Sequence, residues 1–204
     1  MNGAYDEGYA ACPCFWGRQP GSLMQDLERH LPDVLGLRVL DVGCGEGKNA
    51  IYFARRGALV HALDISEHAI KNAKQAWSYH SNILWNIADI RSMMFSEQEF
   101  DVVIAYGLFH CLLNPEEVSQ TVFKLKNATR PGGFHVVCTF NNRYQDLTLA
   151  HPRFFPVLLS HQYYVQCYND WTVLHATDQD LHEIHPHNKV PHVHSMSRII
   201  ARRR

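Results

Sequence analysis

Residues 39–47 read Val39-Leu40-Asp41-Val42-Gly43-Cys44-Gly45-Glu46-Gly47, and Lys48-Asn49-Ala50 follow into the apolar face of a helix. A strand that ends in glycines and runs straight into a helix brings bare backbone up to a ligand at the carboxyl end of a sheet. Loops that hold a pyrophosphate use the same device with the spacing G-x-G-x-x-G, but here the third glycine comes one residue early and Asp41 precedes the first. A carboxylate there repels a phosphate and suits a ligand with a cationic end.

Outward from the loop, apolar runs alternate with amphipathic stretches from residue 22 to 140. The pattern predicts the α/β class: a Rossmann-like, doubly wound, mostly parallel sheet. Strands are expected at Arg38–Val42, Ala58–Leu63, Asn82–Asn86, Phe100–Ala105 and Phe134–Phe140, the last after the turn Arg130-Pro131-Gly132-Gly133. Helices are expected from Ser22 to Leu31, with a Ser22/Gln25 capping box and Pro32 as the stop, and after the glycine loop, with Gly57 as C-terminal cap. Ser66 and Asn114 are the expected caps of two more, the second with Pro115 in its first turn. Beyond an irregular and helical stretch from Asn141 to Asn169, Trp171–Thr177 and Val193–Ala201 are too closely joined for a crossover helix and predict an antiparallel pair. We expect one domain over residues 1–204, with residues 1–36 as a lid and first helix and 37–204 as the sheet core.

Lys+Arg total 19 against Asp+Glu 20, a balance that disfavours a nucleic-acid partner. The 6 cysteines are scattered and read as reduced thiols, including Cys12 and Cys14, whose C-x-C spacing fits neither a redox nor a zinc motif. No apolar run suggests a membrane span, and the first residues lack the pattern of a signal peptide, so a soluble cytoplasmic protein, monomer or homodimer, is expected.

Two further acids lie where strands end. Asp64, followed by Ile65, can accept hydrogen bonds from both hydroxyls of a ribose, and Asp89-Ile90 can meet an adenine amino group. With Asp41 facing a sulfonium and an amino group, the acids match S-adenosylmethionine. From the glycine loop through Asp64, Asp89, Phe100–His110 and Pro131-Gly132-Gly133, the chain resembles the class I S-adenosylmethionine-dependent methyltransferases. The resemblance implies their seven-stranded fold and a cofactor held by Trp16, Asp41, Gly43, Gly45, Gly47, Asn49, Asp64, Ile65, Asp89, Ile90 and Tyr106. It also implies a small-molecule methyl acceptor. The alternatives are a histidine-rich metal-binding or sensing protein on the same fold, or a nicotinamide-dependent oxidoreductase.

More narrowly, Trp16-Gly17-Arg18-Gln19-Pro20-Gly21-Ser22, Gly45-Glu46-Gly47-Lys48-Asn49-Ala50 and Tyr168-Asn169-Asp170-Trp171 look like the tellurite-resistance and thiopurine-type methyltransferases. The likeness implies that the segment before the first helix folds over the cofactor, making Trp16 and Tyr5 lid residues; an ordinary aromatic staple is the alternative. It also puts the acceptor beyond the fourth strand, near Tyr106, Phe109 and His110, with His110 as a catalytic residue or simply a partner of backbone groups. Of fourteen histidines, six fall between His175 and His194, where His182-Glu183-Ile184-His185-Pro186-His187 and His192-Val193-His194 flank a short connector. His182 is the second catalytic candidate. His192 and His194 share a strand face and with a partner strand could chelate zinc, nickel or iron, but no H-E-x-x-H signature is present and no metal ligand is assigned. Tellurite-type relatives carry His-Arg where this chain has His182-Glu183, which weakens an oxyanion acceptor.

Overall fold

The computed structural model describes residues 5–31, 33–150, 154–184 and 189–204. All seven strands form one sheet in the order β3-β2-β1-β4-β5-β7-β6. The strands are β1 (Arg38–Val42), β2 (Leu59–Asp64), β3 (Ile83–Ile87), β4 (Phe100–Tyr106), β5 (Thr129–Gln145), β6 (Thr172–Glu183) and β7 (His192–Arg202). β3 to β5 are parallel to β1, and β7 runs antiparallel between β5 and β6. The helices are α1 (Asp6–Ala11), α2 (Leu23–Glu28), α3 (Lys48–Ala54), α4 (Glu67–Ala76), α5 (Pro115–Ala128), α6 (Leu147–Ala150) and α7 (His161–Gln166). This is the class I methyltransferase fold, with the antiparallel pair at the expected edge.

Side chains alternate across the sheet. Val39, Val102, Ile104 and Val136 join the core under α2, α3 and α4, while Leu40, Val42, Val103, Ala105 and Val137 join the core under α5 and α7. Strands covered on both faces are apolar on both, which is why the central runs lack a polar alternate. Asp41 is the exception: it faces the α3 side of β1 and is buried.

The helix starts at Ser66 and Asn114 are as expected, with Ala69 N–H donating to Ser66 Oγ at 3.0 Å and Glu117 N–H to Asn114 Oδ1 at 2.8 Å. Ser22 is not a cap. Its backbone is already helical, its hydroxyl accepts a hydrogen bond from Arg198 on β7, and α2 is shorter than expected; Pro32 lies outside the described residues. β5 runs on through residues expected to be irregular, since β7 pairs with it as far as Gln145, and the β6/β7 hairpin extends beyond its expected ends. α1 was not expected. The Tyr168/Trp171 pair is core, packed on buried His135. No described helix is long and apolar enough to cross a membrane.

Candidate active site

Strand order reverses beside β1: β2 and β3 lie on one side, β4 and β5 on the other. Ligand crevices open at such switch points, outside the carboxyl ends of the strands. Two adjoining hollows of about 330 and 150 Å³ lie there, and both touch Tyr5, Tyr9, Gly43 and Gly107. The larger is lined by Asp64, Ile65, Asp89 and Ile90, and the smaller by Trp16, Gly45, Asn49, Tyr106 and His110. Thus most of the residues expected around a cofactor meet in one cleft.

The loop between β1 and α3 is fixed from β2. Gly43, Gly45 and Gly47 take φ of +65°, +53° and +79°, and Gly45 N–H donates to Asp64 Oδ2 at 2.8 Å while Ser66 N–H donates to Asp64 Oδ1 at 2.9 Å. A carboxylate has about four lone-pair sites, so each Asp64 oxygen keeps an acceptor position after these bonds. Burial pushes the Asp64 pKa up, opposed by the two backbone donors. A Cβ at Gly45 would lie 2.7 Å from the Tyr9 hydroxyl, in a conformation that L side chains rarely adopt.

Asp41 lies beneath the loop and lines neither hollow. Neither carboxylate oxygen has a hydrogen-bond partner of full geometry among the described residues. Burial raises its pKa to about 7, with the Ala50 N–H as a weaker favourable dipole and Asp64 adding repulsion. Asp89 differs: the Arg91 guanidinium forks onto both its oxygens at 2.6–3.0 Å and holds its pKa low.

An N-terminal strap closes the top. Glu46 Oε1 accepts from Cys14 N–H at 2.7 Å and from Asn72 Nδ2 at 2.9 Å, and its Oε2 accepts from Phe15 N–H at 2.6 Å. Lys48 Nζ donates to the Trp16 carbonyl at 3.3 Å, and Gly21 N–H donates to Asn49 Oδ1 at 2.9 Å. Farther out, α1 is tied to α4 through Asp6 with Ser66 and through Asn72 with the Tyr9 carbonyl. Trp16 Nε1 donates to the Tyr9 hydroxyl at 3.0 Å, and Tyr5 meets Trp16 edge-on with ring centroids 4.9 Å apart. Tyr9 was missed in the sequence, although Tyr5 and Tyr9 stand at the i, i+4 spacing of one helical face. Glu46 was missed as the strap's anchor.

At the other end of the cleft, His110 Nδ1 accepts the Phe140 N–H at 3.2 Å and lies 3.1 Å from Thr139 Oγ1. An imidazole nitrogen that accepts from a backbone N–H carries no proton, so the neutral ring is assigned its proton on Nε2. His110 stacks on Phe140 with centroids 4.1 Å apart, and Phe140 stacks on His194 at 4.3 Å. His182 is not brought in. It pairs with Val193 and is exposed, whereas its neighbours Leu181 and Glu183, on the other face of β6, line the smaller hollow. Lys48 lines it too; burial lowers the pKa of Lys48 and raises that of Glu183, and each charge favours the other.

Two outcomes follow for the unliganded protein. Glu46→Ala removes the acceptor for two strap N–H groups, so limited proteolysis should cut within residues 5–20 faster than in the wild type; an unchanged rate would show that the strap is held elsewhere. Asp41 has a folded pKa of about 7 against an ordinary 3.8, so its contribution to stability is fully present below 3.8 and is lost as pH rises through 7. Asp41→Asn should therefore gain on the wild type between about pH 4 and about pH 8, by an amount on the order of 4 kcal/mol. Thermal unfolding at the two pH values measures the gain, and a pH-independent difference would contradict it.

Residues 39–133 match the family described as "Methyltransferase domain". Demethylmenaquinone methyltransferase of Tropheryma whipplei is 31% identical over 120 residues, covering 59% of this chain and 45% of that protein. The chain spans about half the length of the curated relatives it matches. Among solved structures, TehB of Haemophilus influenzae superposes with a TM-score of 0.74 at 21% identity, over 90% of this chain and 62% of that one. Magnesium protoporphyrin IX methyltransferase of Synechocystis, with bound S-adenosylhomocysteine, superposes with a TM-score of 0.67 at 17% identity, over 98% and 84%. An acid-tipped cleft at the β1/β4 switch point and a methyltransferase domain matched over residues 39–133 make the chain similar to the class I S-adenosylmethionine-dependent methyltransferases, whose fold it shares.

Proposed function

We propose that this chain transfers a methyl group from S-adenosylmethionine to a small molecule bound between His110, Phe140 and Glu183. The observation that carries the reading is the buried Asp41 carboxylate, offset weakly by the Ala50 N–H dipole and set beneath the cleft, under a glycine loop whose neighbouring strand ends in Asp64. Such a carboxylate is offset by a cation and made worse by a phosphate, which separates a sulfonium cofactor from a dinucleotide. The cofactor, when bound, supplies an electrophilic methyl group on a positively charged sulfur. Asp64 would hold the ribose hydroxyls through its remaining lone pairs, Asp89 and Ile90 would border the adenine, and Tyr106, Trp16 and Asn49 would surround the methionine end.

Methyl transfer is an in-line displacement, so aligning the acceptor can supply as much as about 7–11 kcal/mol. His110, with its proton on Nε2, would act as a hydrogen-bond donor that positions an anionic acceptor atom, not as a base. Lys48 faces Glu183 at the same hollow and offsets its charge, and the aromatic strap would shield a bound acceptor from water. A thiolate or oxyanion, which arrives ionised, suits this set better than an amine that must lose a proton. The small hollow, about 150 Å³, favours a compact acceptor.

A screen of small thiols, metalloid oxyanions, phenols and amines for release of S-adenosylhomocysteine tests the reading. Asp64→Ala should weaken cofactor binding by roughly 1–3 kcal/mol in calorimetry. His110→Gln should lower kcat at least about tenfold, ~1.4 kcal/mol, with near-normal cofactor affinity. Preferential binding of a nicotinamide dinucleotide, or unchanged cofactor affinity in a folded Asp64→Ala protein, would overturn the assignment.

A further inference from the structure

β6 and β7 pair so that Glu183 stands opposite His192 and Leu181 opposite His194. Positions 181, 183, 192 and 194 therefore share one face of the hairpin, the face that closes the smaller hollow. His192 and His194 are 2% and 0% exposed. One ligand atom from each of Glu183, His192 and His194 lies within 4.8 Å of the other two. Two imidazoles and a carboxylate that converge at this range, on rigid paired strands, form a donor set for a transition metal.

The rings are also oriented from behind. His192 Nδ1 is 2.8 Å from the Val190 carbonyl, and His194 Nδ1 is 2.8 Å from Gln145 Oε1. The Gln145 amide cannot be reversed without loss, because its Nε2 already donates to the Asn141 and Ser195 carbonyls, each at 2.8 Å. A carbonyl oxygen can only accept, so both Nδ1 atoms carry protons and each neutral ring presents the lone pair of its Nε2. This is the outer-shell arrangement that fixes metal-binding histidines. Asp146, which accepts the Val193 N–H, adds negative charge near both histidines, while Lys48 faces Glu183.

We infer that Glu183, His192 and His194 bind one divalent ion of the zinc type, with an open coordination position toward the cavity lined by Glu183, His110 and Phe140. Among the described residues the site has three protein ligands, which leaves room for a fourth from outside, the hallmark of a reactive and not a purely structural zinc site. The metal site stands without methyl transfer. That the open position takes the anionic atom of the methyl acceptor rests on the function proposed above.

The test uses the full chain without an affinity tag, stripped with a chelator and titrated with zinc chloride against a chromophoric competitor. One zinc per chain is expected. Glu183→Gln and His194→Gln should each weaken binding at least about tenfold, and Gln145→Ala, which removes no ligand, should do so by about 10–100-fold. S-adenosylhomocysteine affinity, measured in the same variants, should remain at the wild-type value and show that they are folded. His185→Gln combined with His187→Gln should leave zinc affinity unchanged. Cobalt(II) in place of zinc should give visible d–d bands that shift on adding azide, with no thiolate charge-transfer band. Wild-type zinc affinity in the Glu183, His194 and Gln145 variants, loss of zinc only in the His185/His187 variant, or a thiolate band would overturn the site. A correct site in a protein that releases no S-adenosylhomocysteine with any acceptor would instead count against methyl transfer alone.

Discussion

At the end of β1 the chain has neighbours on both sides, β2 and β4, whose connections leave in opposite directions along the sheet. The backbone there has no crossover to cover it, and its polar groups must find partners in the loops. Asp64 answers by holding the Gly45 and Ser66 N–H groups, so the glycine loop keeps its left-handed turns. Glu46 answers on the outer side by capturing the Cys14 and Phe15 N–H groups. One carboxylate thus shapes the floor of the cleft and the other its roof, and the cleft follows from the same gap in the topology.

The parallel core was legible because burial on both faces leaves near-continuous apolar runs, and because Ser66 and Asn114 cap helices through contacts three residues away. The same reasoning went wrong at Ser22, where Arg198, remote in sequence, takes the hydroxyl. Local signals do not register such a contact. His182 and Glu183 show a sharper limit: strand side chains alternate, so a register of one residue decides which of the two enters the cleft. The histidine content drew attention to this hairpin, but the acid beside the favoured histidine is the one that lies on the inner face. α1 had little chance of being found, being short and without a side-chain cap, and held mainly by Asp6 and Asn72 reaching across between α1 and α4.

Charge is distributed unevenly around the cleft. Asp41 and Asp64 are buried near the glycine loop and Asp89 is paired with Arg91, so this side of the cleft offers acceptors of graded strength. The far side is built differently, with Lys48 and Glu183 opposed and a stack of His110, Phe140 and His194 behind them. An environment of acceptors at one end and balanced charge at the other suits two ligands of different polarity that meet in the middle.

The strap that carries Tyr9 and Trp16 is tied at Glu46, Lys48 and Asn49 around the glycine loop and, through Ser22, at Arg198 on β7. β7 is also the strand that bears His192 and His194. Because its anchors lie on two remote parts of the sheet, the strap comes away only when several bonds break together. Through the bond from Arg198 to Ser22, the strand that carries the two buried histidines is thereby also one of the strap's moorings, so the two ends of the cleft share a mechanical link.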